Sequence, residues 1–295
     1  RRIGADFSYK DGWSMYHGAH VPGFPQHPHR GFETVTVVRR GYVDHSDSLG
    51  ATARYGEGDV QWLTTGSGIM HCEMFPLLAA DHDNPLELFQ IWLNLPPESK
   101  MVDAYFGMLW SEEIPTIAPA PGVSVDVIAG ALDGHVPPPP PPDSWGSHPD
   151  GELAIWLIRV DAGSSYTLPT AAADVNRMLH CFMGSSVTVG SAVVGEQTGV
   201  RLRGDVPTEI VNRGAEAAEF LLLQGRPIGA PVFQMGPFVM NSHEELQQAY
   251  ADFRRTQFGG WPWPAADPVH DRSQGRFAIH ADGRREERDL VLQRG

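Results

Sequence analysis

The chain has 295 residues, enough for about two ordinary domains that each bury a core of their own. Its formal charge of −14 at pH 7 comes without any Lys/Arg cluster long enough to follow a phosphate backbone, which argues against direct binding of nucleic acid or of an anionic membrane. Apolar residues at 41%, with 32 Gly and 25 Pro, describe a compact, turn-rich chain and exclude a disordered one.

The first informative stretch is "HPHRGFE", residues 27–33. In a pleated strand side chains alternate between faces, so His27 and His29 point the same way, as would Glu33 if the strand were regular. From Gly31 to Leu95 short β-rich runs ("TVTVV", "DVQWLTT", "LELFQIWLNL") are separated by glycine-bearing turns ("RRGY", "GEGD", "GSG"). That rhythm predicts a small antiparallel barrel or sandwich. The turn glycines do not lead into a helix, so they are not read as phosphate loops.

The run "VPPPPPPD", residues 136–143, lacks backbone donors and is predicted to lie extended as a stiff connector. The expected organisation is therefore a first domain over 1–135, a proline-rich linker over 136–150, a second β domain over 151–230 and a C-terminal segment over 231–295. The second β domain rests on "ELAIWLIRV", "SYTLP", "RMLHCFMG", "SVTVG", "VRLRG", "TEIVNRG" and "AEFLLLQG". In "SHEELQQAYADFRR" Ser242 and Glu245 have capping-box spacing, and Leu246, Tyr250 and Phe253 share one helical face. The aromatic "FGGWPWP" and the polar tail after it are expected to pack over a barrel. The fold class is thus all-β, two barrels in one chain with a C-terminal helix and tail.

Chemistry concentrates in the first half. In "GSGIMHCE" His71 and Glu73 again share strand parity, so two strands can present three imidazoles and a carboxylate to one barrel interior. Such donors suit a first-row divalent ion at roughly 2.0 to 2.2 Å with positions left open. Parity alone does not choose between Glu33 and Glu73 as the carboxylate. Gln90, in an apolar strand, is read either as orienting a ligand or as a satisfied barrel glutamine. His45, in "DHSDS", is expected at the surface of a turn. Cys72 has the opposite parity to His71 and is expected to be an inert small hydrophobe. Phe32, Trp62, Met70, Met74 and Trp92 are candidates for a flat apolar cavity near the ion. In the second half the only histidine between Gly151 and Asn241 is His180, expected to be a hydrogen-bonded core residue, so one metal per chain is predicted.

The run "HPHRGFETV", followed by "GDVQWLTTGSGIMHCEM" and "FQIWLNLP", resembles the pirin family of bicupin proteins, and the resemblance extends more weakly through "GPFVMNSHEELQQAYADF". It implies two cupin (jelly-roll-like) β-barrels, with His27, His29, His71 and Glu73 as metal ligands and a C-terminal cupin without an ion. Glu73 is favoured over Glu33 on this ground. The spacing from Glu33 to Gly41 is one residue longer than the general cupin motif but fits pirins. "ADFSYKDGWSMYHGAHVPGF" matches more loosely, and the proline run is unusually long.

The resemblance implies a divalent metal, iron first, with manganese, nickel, copper, cobalt or zinc as alternatives. It also implies an oxidoreductase resembling quercetin 2,3-dioxygenase, acting on a flat aromatic substrate with dioxygen and using Glu73 as ligand and general base. The alternative is a metal-bearing regulatory protein with a protein partner. Only two cysteines occur, Cys72 and Cys181, and no apolar run is long enough for a signal peptide or a bilayer span. A cytoplasmic setting is the simplest expectation, without a membrane partner. Since the chain opens on Arg1, a short N-terminal piece is expected to have been trimmed, and a lost targeting segment stays open.

Overall fold

The structure is a computed structural model, and it describes residues 18–289 together with the backbone of 8–10 and 13–15. Residues 5–7, 11–12 and 16–17 of the loosely matching "ADFSYKDGWSMYHGAH" stretch therefore lie outside the described residues. The chain divides into two compact units, one ending at Ser111 and resuming at Ala230, the other spanning Glu112–Gly229.

In the first unit a six-stranded sheet has the order Arg285–Arg288, Arg276–Ile279, Thr52–Gly56, Tyr42–Asp47, Ile69–Met74, Gly23–His29. A four-stranded sheet has the order Tyr105–Leu109, Val60–Thr64, Phe32–Arg40, Glu87–Asn94. All of these pairings are antiparallel. Val38, Leu63 and Phe106 of the smaller sheet share one buried apolar cluster with Val43, Tyr55 and Ile69 of the larger, so the sheets face each other across a common interior. Alternation then decides what enters it: Ile69, His71 and Glu73 point in, while Met70, Cys72 and Met74 point out.

The second unit repeats the arrangement. Its six strands run Thr116–Ala120, Val123–Ala129, Ala154–Val160, Ala218–Gly225, Asn176–Met183, Thr198–Arg203, and its four run Ser165–Leu168, Thr208–Asn212, Val187–Val189, Ala192–Val194. Its core holds a large apolar cluster with Val125, Trp156, Leu179, Phe220 and Leu222 among the buried residues, and Arg177, buried on the same strand face as Leu179, donates to the Pro169 carbonyl. Two β-barrels, with one α-helix among the described residues, match the expected fold class.

The unit boundary differs from the expectation. The proline run is not a connector between units, because the strands on either side of it, Val123–Ala129 and Ala154–Val160, pair with each other inside the second unit. Pro137 and Pro141 are buried, and Trp145 just beyond donates its indole N–H to the Arg226 carbonyl at 2.8 Å. A donor-free segment suits a docked loop as well as a spacer.

The C-terminal segment belongs to the first unit. Ser242 caps the helix His243–Thr256 by accepting from the Glu245 N–H, and Glu245 reaches back to the Asn241 N–H. Leu246 and Ala249 pack with Phe238 and Met240, and Tyr250 and Phe253 lie against them. Trp263 of "FGGWPWP" donates to the Asp47 carbonyl at 2.8 Å. The tail does more than pack over the barrel: Arg276–Ile279 and Arg285–Arg288 extend the six-stranded sheet, the first of them pairing with Thr52–Gly56.

Candidate metal centre

A bulge builds the site. Between the strands Gly23–His29 and Ile69–Met74, Phe24 lies opposite Glu73, but the register then slips so that His27, not Gln26, lies opposite His71. One extra residue reverses the parity of everything after it, and Pro25 and Pro28 are tolerated because this is an edge strand. His27, His29 and His71 therefore enter the interior together. Their ring centroids lie 4.4, 4.8 and 5.0 Å apart, and one nitrogen from each falls within 4.8 Å of the others. Among the described residues this is the one group of three such donors that converges. Donors around one ion at roughly 2.1 Å lie about 3 to 4.2 Å apart, so the cluster is within a short adjustment of a coordination shell.

Two observations test whether a cation fits. His71 is fully buried, and neither ring nitrogen has a protein hydrogen-bond partner, an arrangement that costs about 1 to 3 kcal/mol if nothing else answers it. The other two rings are oriented from behind. The Pro25 carbonyl lies 2.9 Å from Nδ1 of His27 and the Pro237 carbonyl 3.4 Å from Nδ1 of His29. A carbonyl only accepts, so both Nδ1 atoms carry the proton and both Nε2 lone pairs are free. Burial pushes all three imidazoles below the ordinary value of 6.5, with His29 and His71 well below it, which keeps them neutral at neutral pH. The donor set fits a divalent first-row ion.

Glu73 is nearly buried and stands beside the triad, with Oε2 4.0 Å from Nε2 of His71. The Gln90 amide donates to both of its oxygens at 2.8 Å, and Thr36 Oγ1 donates to Oε1 at 3.3 Å. The Trp92 indole in turn donates to Gln90 Oε1 at 3.3 Å, which fixes which end of the amide faces the carboxylate. Gln90 thus orients Glu73. Glu33 is on the opposite face of its strand from Thr34 and Thr36, where its Oε1 accepts from Thr64 Oγ1 at 2.7 Å. The converging group consists of the three histidines and includes neither Glu33 nor Glu73, of which only Glu73 faces the same interior.

Of the five apolar candidates, two adjoin the histidines. Phe32 and Trp92 lie 5.0 and 5.5 Å from the His29 ring and 4.3 Å from each other, and Trp92 is 43% exposed, a flat aromatic surface at the mouth of the site. Trp62, paired with Val35, faces the other way, as do Met70 and Met74 by alternation with His71 and Glu73. Cys72 is buried with them, and burial raises its thiol.

His45 corrects the turn assignment. It lies fully buried in the strand Tyr42–Asp47, opposite Glu73, stacked on Phe106 and edge-on to His71 at 5.5 Å. Its Nε2 is 3.0 Å from Asp47 Oδ2, while Asp47 Oδ1 accepts from the Leu49 and Ala51 N–H groups. The turn begins only at Ser48, and the alternation of Val43, His45 and Asp47 was the signal for a strand. His180 is half-buried on the strand Asn176–Met183 and has no clustered partner of the metal-binding kind.

Paired antiparallel sheets around an interior histidine cluster, repeated in one chain with no second such cluster among the described residues, define a two-barrel cupin protein. The Pirin profile matches residues 2–93 and the Pirin C-terminal cupin domain profile residues 155–259. The chain belongs to the pirin family. It is 39% identical over 245 residues to the Pirin-like protein of Caulobacter vibrioides, covering 81% of this chain and 82% of that one. It is 34% identical over 257 residues to human Pirin, covering 83% and 80%. A crystal structure titled quercetin 2,3-dioxygenase from Acinetobacter baumannii superposes with a TM-score of 0.73 at 31% identity, covering 83% of this chain and 82% of that one.

Proposed function

We propose that the chain is a metal-dependent dioxygenase that opens a flavonol such as quercetin, with His27, His29, His71 and Glu73 holding one divalent ion, iron first. The observation that carries this reading is His71: a buried imidazole with both nitrogens lacking a protein partner, set among two histidines whose lone pairs are free. The similarity to the Acinetobacter baumannii dioxygenase supports the substrate class.

When bound, the ion supplies Lewis acidity toward a substrate oxygen. The chain's own residues do the rest. The exposed face of Trp92, backed by Phe32, offers a stacking surface for a flat ring. Glu73, held by Gln90 and Thr36, receives the proton of the flavonol hydroxyl. Buried apolar neighbours such as Ile69 and Phe106 keep water from the opened ring. The two free, buried thiols fit a cytoplasmic setting, and no helix among the described residues is long and apolar enough to cross a membrane.

The test is anaerobic loading of the metal-free chain with iron, manganese, nickel, copper or cobalt, followed by quercetin with measurement of oxygen uptake and carbon monoxide. Release of both signals in proportion to bound metal is expected. Silence with every metal, with a protein that co-purifies only with the loaded form, favours the regulatory alternative.

A further inference from the structure

We propose that the C-terminal segment around Pro237 is a positioning element for His29, with Lys100 and Arg30 as the positioning residues that hold it in place; the inference rests on reading His29 as a metal ligand. The two histidines of the first strand are oriented differently. His27 takes its carbonyl from Pro25, two residues away on its own strand. His29 takes its carbonyl from Pro237, on a segment that returns to the first unit after the whole of the second. Its Nδ1 to oxygen distance of 3.4 Å is long, so the ring orientation depends on how closely that segment is held.

Four contacts hold it. The backbone forms a single parallel bridge between Arg30 and Phe238, with Arg30 N–H on the Pro237 carbonyl at 3.3 Å and Val239 N–H on the Arg30 carbonyl at 3.0 Å. Gly31 has φ +82°, and a Cβ there would come within 2.1 Å of the Val239 carbonyl oxygen, so the turn after His29 admits only glycine at this distance. Lys100, 2% exposed, donates from Nζ to the Gly31 carbonyl at 2.6 Å, to Asn94 Oδ1 at 2.5 Å and to the Val239 carbonyl at 2.9 Å. One ammonium thereby ties the turn to the returning segment. Arg30, also buried, donates to the Ser67 carbonyl at 2.7 Å and to Asp252 Oδ2 at 3.0 Å, and lies 4.7 Å over the Phe258 ring. It joins the loop that leads into the His71 strand to the C-terminal helix.

Partners behind a ligating histidine set its tautomer and ring angle, and their loss typically weakens metal binding by about 10- to 100-fold. The clamp is therefore expected to contribute to metal affinity beyond its share in stability. The experiment uses the full chain and cobalt(II) or nickel(II) alone, titrated against a chelating competitor, with the visible spectrum of the cobalt form as a second readout. Lys100→Met and Asp252→Asn are expected to weaken binding by about 10-fold or more and to alter the cobalt spectrum. Arg276→Met, which breaks the buried pair with Asp59 in the same unit, is expected to lower the melting temperature yet leave both readouts unchanged.

If Lys100→Met does not fold, hydrogen exchange of the unaltered chain carries the test. By reciprocity, cobalt loading is expected to slow exchange at 238–240 and in the helix more than at 276–279 and 285–288. Folded clamp variants that bind cobalt like the unaltered chain with the same spectrum, or protection confined to the histidine strands, overturn the inference. An unaltered chain that takes up no cobalt overturns the metal centre and the inference together. Neither readout depends on flavonol turnover.

Discussion

The two barrels have the same layout of six strands against four, yet only the first brings three histidines together beside its apolar cluster, while the second fills the matching space mainly with hydrocarbon. In the first unit His71, Glu73, Thr36 and Gln61 are buried between the sheets, and Gln61 keeps both amide atoms without a protein partner. In the second, the corresponding space holds Val125, Trp156, Leu179 and Phe220. The scaffold is therefore indifferent to what its inward positions carry. Both units bury polar groups, Arg177 and Asn212 in the second among them, but only in the first do they converge as a donor cluster, so desolvation there is exchanged for a site.

The comparison breaks most sharply at His71. Replacing it with Ala is expected to abolish stoichiometric metal uptake, a loss exceeding the roughly 100-fold typical of supporting residues. His180→Ala in the second unit is expected to leave uptake unchanged. Elemental analysis of the purified variants reads both. The next largest effect is in the sealed core: Phe220→Ala should cost about 3 to 5 kcal/mol of unfolding free energy, measured by denaturant titration of the metal-free chain.

The carboxylates sharpen the assignment. Glu73→Gln is expected to lower flavonol turnover by about 100-fold or more through loss of the proton acceptor, while Glu33→Gln keeps turnover within about 3-fold if it folds, because its contacts lie on the other face of the strand. A smaller effect follows acidification. His29 and His71 are held below 6.5 by burial, so the unfolded chain takes up their protons first, and their neutral state favours the fold above pH 6.5. Stability of the metal-free chain is expected to fall as the pH drops below that value toward the depressed folded values, and a melting series across pH 7 to 4 checks the direction. Bound metal should shift the loss to lower pH by competing with those protons.

Local patterns carried much of this architecture in the sequence. Period-two alternation placed His27 with His29 and His71 with Glu73, and the capping box marked the helix. Features that depend on distant pairing were less visible. The proline run looked like a boundary because its own chemistry is that of a spacer, but pairing of Val123–Ala129 with Ala154–Val160 encloses it. His45 was obscured by Asp and Ser neighbours that favour turns, although only Asp47 reaches forward to the turn, while Asp44 pairs with Arg54 and Ser46 with Thr52 inside the sheet. Gln90 stood out as polar in an apolar strand, and only the opposing sheet revealed that its target is Glu73. Lys100 and Arg30 gave no signal at all, since apart from the nearby Asn94 amide their acceptors are backbone oxygens and a carboxylate far along the chain.

The tail strands bear on how the molecule is made. Arg54, buried against Asp44, also donates to the carbonyls of His270, Asp271 and Gln274, and the strand Arg276–Ile279 completes the sheet beside it. During synthesis the second barrel emerges whole, while the earlier one waits for residues translated after it. The contiguous second unit is therefore expected to close before the first, whose sheet is complete only when Arg276–Ile279 docks beside Thr52–Gly56, an order that pulsed hydrogen exchange during refolding would read.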